Sequence, residues 1–83
     1  MISFDNSAFA DYLQWEKEDE KIFNKINTLI KEITRDPFRG TGKPEPLREN
    51  WSGYWSRHIT QEHRLIYKVY PDHIFIASCK NHY

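Results

Sequence analysis

The sequence predicts an α+β domain in which two N-terminal helices pack on one face of a small antiparallel β-sheet. Three observations carry that prediction. Ile22, Ile26, Leu29, Ile30 and Ile33 recur at three- and four-residue spacing, the stripe of an amphipathic helix. Residues 55–69 alternate in polarity on either side of a polar turn, as the strands of a hairpin do. Ile74-Phe75-Ile76-Ala77-Ser78-Cys79 is a near-continuous apolar run, expected to be a central strand buried on both faces. Helices gathered ahead of an antiparallel sheet define the α+β class. A chain of 83 residues is expected to form one domain, residues 1–83, around one small core.

Each element has a local cause. Met1-Ile2-Ser3-Phe4 is a short apolar first strand. Asp5-Asn6-Ser7 supplies N-cap side chains for a helix from about Ser7 to Lys17, with Phe9, Tyr12 and Leu13 on its inner side and Glu16 at the margin. Asp19 can cap the second helix, whose outer side carries Lys21, Lys25, Lys31, Glu32 and Arg35. Asp36-Pro37 ends it, because a residue before proline avoids helical geometry. Residues 36–50 read as a loop, punctuated by Pro37, Gly40, Gly42, Pro44 and Pro46. Gly42-Lys43 lacks the remaining glycine and Ser/Thr of a phosphate loop. In the hairpin, Trp55, Arg57 and Ile59 share one parity, and Ser56 and His58 the other. Leu65, Tyr67 and Val69 likewise oppose Arg64, Ile66 and Lys68. An apolar row can therefore enter a core while Arg57 or His58, together with Arg64, stands on a sheet surface as an anion platform. Tyr70-Pro71-Asp72-His73 is a turn into the last strand.

The formal charge is zero, from 12 Lys/Arg against 12 Asp/Glu. Its distribution is uneven. Residues 1–20 hold six acids and only Lys17, leaving eleven Lys/Arg against six acids in the remainder. A neutral total can thus hide a basic face, although a mixed solvated surface is the plainer alternative. Cys79 is the only cysteine, so no intrachain disulfide forms. Its strand context reads as a buried, inert thiol. No apolar run approaches transmembrane length and no signal-peptide core is present, so a cytoplasmic location is the expectation.

An open, basic, aromatic sheet face is where single-stranded RNA could lie. Cleaving RNA without a metal needs a base for the 2′-hydroxyl, an acid for the leaving 5′-oxygen and fixed positive charge on the phosphate. The loop offers Glu45 as base, the tail offers His82 as acid, and Arg64 has the planar fork that grips two phosphate oxygens. Taken singly, each has a plainer reading: Glu45 a solvated acid, His82 a frayed terminus, Arg64 a surface ion pair with Glu62. His63 and His73 flank turns and read as bystanders. The four histidines lack metal-ligand spacing, and no metal or other cofactor is expected.

Several segments carry a family resemblance: Asn27-Thr28-Leu29-Ile30-Lys31, Pro37-Phe38, Gly42-Lys43-Pro44-Glu45-Pro46-Leu47, Ser52-Gly53-Tyr54-Trp55-Ser56-Arg57, Glu62-His63-Arg64-Leu65-Ile66-Tyr67 and Cys79-Lys80-Asn81-His82-Tyr83. The chain resembles the YoeB toxins of the RelE/ParE toxin–antitoxin superfamily along essentially its whole length. The resemblance implies a RelE-like, microbial-RNase-like fold. It implies an mRNA interferase that enters the ribosomal A site, cleaves mRNA there without a metal and halts translation. It further implies a YefM-type antitoxin, a homodimer, the 70S ribosome with its mRNA as target, no membrane, and operator DNA bound only through the antitoxin complex. The family's base falls on Glu45, its phosphate-binding arginine on Arg64, its acid on His82 and its terminal aromatic on Tyr83. Its RNA-holding positions fall on Lys43, Arg48, Arg57 and His58. Three departures stand out. His58 occupies a position where YoeB toxins usually carry a second arginine, and a histidine is charged only part of the time near neutral pH. Activity is therefore expected to depend on pH more than in the family. Arg48 stands where a lysine is common, which keeps the charge. Asn81 replaces an aromatic residue. Two other classes stay open: a toxin that blocks the ribosome or another target by occupancy, and a subunit whose role is to fold an antitoxin on its open face.

Overall fold

The computed structural model describes residues 1–81. Among these residues the chain forms β1 (Ile2–Phe4), α1 (Asn6–Glu18), α2 (Glu20–Arg35), β2 (Glu45–Pro46), a 3-10 turn (Glu49–Trp51), β3 (Tyr54–His58), β4 (Arg64–Val69) and β5 (Ile74–Ser78). The strands make one sheet in the order β1-β5-β4-β3-β2. The two helices cover one of its faces, the expected α+β arrangement.

The caps form where the sequence places them. Asp5 accepts hydrogen bonds from the Ser7 and Ala8 amides, and Asp19 from those of Lys21 and Ile22. Asp36 closes α2 in an extended conformation before Pro37. Ile26, Leu29 and Ile33 are fully buried against Leu65, Tyr67 and Ile76. Each such side chain contributes roughly 1.5–3 kcal/mol on burial.

Four expectations need correction. The sheet is mixed rather than wholly antiparallel, since β1 pairs with β5 in parallel. β1 and β5 are the first and last strands in the chain, so no hairpin turn joins them and an antiparallel pairing is not imposed. On α1, Ala8 and Trp15 are the buried residues, whereas Phe9 and Leu13 are 45% and 43% exposed. Trp15 sets that orientation by donating from Nε1 to the Cys79 carbonyl. β5 is interior but not doubly buried: Ile74 and Ile76 are buried, and Phe75 and Ala77 lie on the less covered side. Finally, the segment 36–50 is not all loop. Glu45 and Pro46 pair with Ser56 and Trp55, so Glu45 belongs to an edge strand.

A shift of register between Ile66 and Tyr67 brings Ser78 opposite Ile66 and Ile76 opposite Tyr67. Ala77 is the extra residue, a β-bulge. Beyond it Cys79 turns into the core and the chain runs back past the start of β4.

A candidate anion-binding face on the central hairpin

Residues paired directly across antiparallel strands project from the same side. Glu45 pairs with Ser56, Ser56 with Ile66, and Ile66 with Ser78; His58 pairs with Arg64. Leu65 and Tyr67 take the opposite side and join the helix-covered core. Glu45, Ser56, His58 and Arg64 therefore share the face turned away from the helices. Tyr54 and Lys68 extend it, with the Lys68 ammonium 5.3 Å from the Tyr54 ring centre.

Arg64 is the centre of this face. Its Nη1 lies 3.7 Å from Glu45 Oε1, an ion pair spanning β4 to β2. Glu62, its expected partner, lies instead 3.6 Å from His63 Nε2. Arg64 Nε and Ser56 Oγ are buried with no hydrogen-bond partner among the described residues.

The tail reaches the same place. The Asn81 carbonyl accepts from the Arg64 amide at 3.2 Å, and the Asn81 amide donates to His63 Nδ1 at 2.9 Å. A backbone amide cannot accept, so Nδ1 is the unprotonated nitrogen of that ring. His63 also sits edge-on against Trp15, with ring centres 4.8 Å apart. It is 8% exposed and ties the tail to the hairpin, so it is no bystander. The signal was available: His63 directly precedes Arg64, where a turn must become a strand. His82 and Tyr83 lie outside the described residues. Asn81, the residue before His82, is hydrogen-bonded to the arginine chosen as phosphate clamp.

Arg57 departs from expectation. It has no exposed surface and cannot touch RNA in this conformation. Its side chain lies on the helix-covered side, where its Nε donates to the Tyr67 hydroxyl and Nη1 to Glu32. It shares that side with Ile59, which is buried in the core, so of Arg57 and His58 it is His58 that faces away from the helices. The carboxyl of Glu32 is held below the usual range, chiefly by the Thr41 amide and further by Arg57. Burial pushes the Tyr67 phenol up, against the pull of Arg57. Burial also pushes the Cys79 thiol up, to about 12, as an inert thiol requires.

The remaining basic residues are dispersed. Lys43, at φ +52°, lines a cleft of about 300 Å³ with Lys25, Gly42, His58 and Ile59. That places it beside His58. Arg48 precedes the 3-10 turn with an exposed side chain, and forms no ion pair among the described residues. His73 stays at its turn, bonded to Asp72 and stacked on Tyr70.

Known proteins resemble this chain along essentially its whole length. Residues 4–83 match the family model for YoeB-like toxins of bacterial type II toxin–antitoxin systems. The chain is 52% identical over 82 residues to toxin YoeB of Escherichia coli strain K12, covering 99% of this chain and 98% of that one. It superposes on the toxin of a YoeB–YefM complex from Staphylococcus aureus with a TM-score of 0.94 and 49% identity, covering 100% of this chain and 97% of that one. The Staphylococcus aureus YoeB dimer superposes with a TM-score of 0.92 and 51% identity, covering 99% of this chain and 95% of that one.

Proposed function

The chain belongs to the YoeB-like toxins of bacterial type II toxin–antitoxin systems, and on that premise we propose that it is a ribosome-dependent endoribonuclease. One observation supports the reading most directly. The Glu45 carboxylate, the Arg64 guanidinium and Asn81, the residue before His82, meet at the sheet face turned away from the helices.

In this scheme residues 1–83 act as one toxin domain on mRNA in the A site. Arg64 binds the non-bridging oxygens of the scissile phosphate, leaving its resting pair with Glu45. Glu45, freed of that pair, removes the 2′-hydroxyl proton. The 2′-oxygen attacks phosphorus and the bond to the 5′-oxygen breaks. His82 protonates that oxygen, which leaves a 2′,3′-cyclic phosphate and a 5′-hydroxyl. Base, acid and cation are all side chains, so no step calls for a metal. Each proton-transfer group contributes about 10²–10⁴ in rate. Lys43, Arg48 and His58 hold flanking phosphates, and Tyr83 orients the substrate or stacks on a base.

The expected partners follow the relatives. A YefM-type antitoxin covers the open face in the cytoplasm, operator DNA is reached only through that complex, and the free toxin is a homodimer. No helix among the described residues is long and apolar enough to cross a membrane.

Primer extension on mRNA stalled in a purified translation system tests the reading. Wild type should cut inside the A-site codon, and Glu45→Ala and His82→Ala should each lose the cut. Stalled ribosomes carrying intact mRNA would overturn it in favour of a toxin that acts by occupancy.

A further inference from the structure

Arg57 uses every donor it has. An arginine carries five N–H groups in a rigid fork. Nε donates to the Tyr67 hydroxyl at 3.1 Å. Nη1 donates to Glu32 Oε1 at 3.3 Å and to the Thr41 carbonyl at 3.2 Å. Nη2 donates to the carbonyls of Asp36 and Arg39 at 2.8 and 2.7 Å. The two side-chain acceptors reach the same segment: Glu32 Oε1 accepts from the Thr41 amide, and the Tyr67 hydroxyl donates to the Pro37 carbonyl. Three side chains, from α2, β3 and β4, thus hold the backbone of residues 36–41.

The segment is also pressed against its anchor. A Cβ on Gly40 would lie 2.5 Å from Glu32 Oε1, and one on Gly42 would lie 2.8 Å from the His58 carbonyl oxygen. Both glycines have positive φ. The His58 amide closes the segment by donating to the Gly42 carbonyl at 2.7 Å. Three residues later comes Glu45.

β2 has little hold of its own. It is two residues long, and Pro44 and Pro46 carry no amide to donate. So short an edge strand is placed by what flanks it. On its C-terminal side the Leu47 amide bonds to the Tyr54 carbonyl. On its N-terminal side the anchor is the Arg57 cluster.

We infer that Arg57, seated by Glu32 and Tyr67, is the positioning residue for Glu45 and sets where that carboxylate stands relative to Arg64. The inference rests on the reading of Glu45 as the base. Misplacing a reacting group by about 1 Å costs about 10²-fold in rate. The cluster therefore acts on turnover and leaves ribosome binding alone.

The test uses the full chain with Tyr67→Phe, Glu32→Ala and Glu32→Gln. Tyr67→Phe removes one hydroxyl from the cluster and keeps the ring. Glu32→Gln keeps an oxygen that can accept from Arg57 and Thr41, whereas Glu32→Ala removes it. Amide hydrogen exchange on the free toxin is read beside maximal rate and half-saturating toxin concentration on stalled ribosomes. Tyr67→Phe and Glu32→Ala should speed exchange across residues 39–47 by about tenfold or more, with α2 and β4 unchanged. They should lower the maximal rate by about 10- to 100-fold at constant half-saturation. Glu32→Gln should restore both. Unchanged exchange in 39–47, acceleration spread evenly over the chain, or a loss confined to half-saturation would overturn the inference. If the wild type leaves mRNA intact, the catalytic reading falls by itself, and the exchange pattern still decides whether this cluster holds the Glu45 strand.

Discussion

Arg57 and Arg64 belong to adjacent register pairs of one hairpin, Arg57 opposite Leu65 and Arg64 opposite His58. They project from opposite faces and have opposite fates. Arg57 is sealed under the helices with all five donors taken. Among the described residues, Arg64 Nε is buried without a hydrogen-bond partner, and Nη1 makes one ion pair at 3.7 Å to a Glu45 side chain that is 56% exposed. A satisfied arginine is part of the scaffold. An arginine held among the described residues by one loose ion pair can exchange that partner for a ligand. Residue type does not separate the two roles; strand parity does.

The sharpest way to break that contrast is to delete each guanidinium. Arg57→Ala should cost about 3–5 kcal/mol in urea unfolding, the scale for removing one member of a buried charged network. Arg64→Ala should change stability by less than about 1 kcal/mol, because a loose pair at 3.7 Å to a largely exposed carboxylate contributes little. Its cleavage on stalled ribosomes should fall by about 10²–10³-fold, the scale for losing one fixed donor to a developing anion. Equal stability losses in the two variants would erase the distinction.

His58→Arg sharpens the comparison on the open side, because it adds a permanent cation opposite Arg64. Cleavage at pH 8 should rise by no more than about tenfold, and the rate between pH 6 and 8 should flatten. An unchanged pH–rate profile would remove His58 from the phosphate-binding set.

The closed side should show its own pH signature. The Glu32 carboxyl titrates below its ordinary value of 4.5 in the folded chain. Its stabilisation is therefore present above that pH and is lost as pH falls through the folded-state value. Glu32→Gln should make stability less steep with pH in that acid window, as read by urea midpoints at several pH values. The smallest effect concerns Cys79. Its thiol, raised from 9.0 to about 12, favours the folded state below pH 9, and that contribution fades as pH rises toward 12. At pH 8 iodoacetamide should leave the native thiol unmodified and label it after unfolding in urea. Rapid native labelling would place Cys79 outside the core.

Much of the frame was legible beforehand. The stripe from Ile22 to Ile33 set α2 and its buried face, Asp19 and Pro37 set its ends, and alternation through residues 55–69 set the hairpin and its two sides. Parity grouped Arg57 with Trp55 and Ile59 but left open whether Arg57 or His58 stood on the surface. The expectation that it held RNA came from the family resemblance, which placed a charge on a list without asking which face it occupied. α1 was harder to orient. Phe9 and Leu13 outweigh Ala8 in any hydrophobic count, but the partner that turns Trp15 inward is the carbonyl of Cys79, 64 residues away.

Amino-acid order alone thus determined the elements that rest on near neighbours: helical period, strand alternation, caps and proline stops. Only the tertiary structure decided the parallel seat of β1, the strand character of Glu45, the tie between His63 and Asn81, and the acceptors of Arg57. The physical reason is common to them all. Apart from the Tyr67 hydroxyl and the Glu32 carboxylate that Arg57 also meets, these contacts end on backbone amides and carbonyls, which nearly every residue carries, so no side-chain pattern marks which one will be used until the fold brings it within reach.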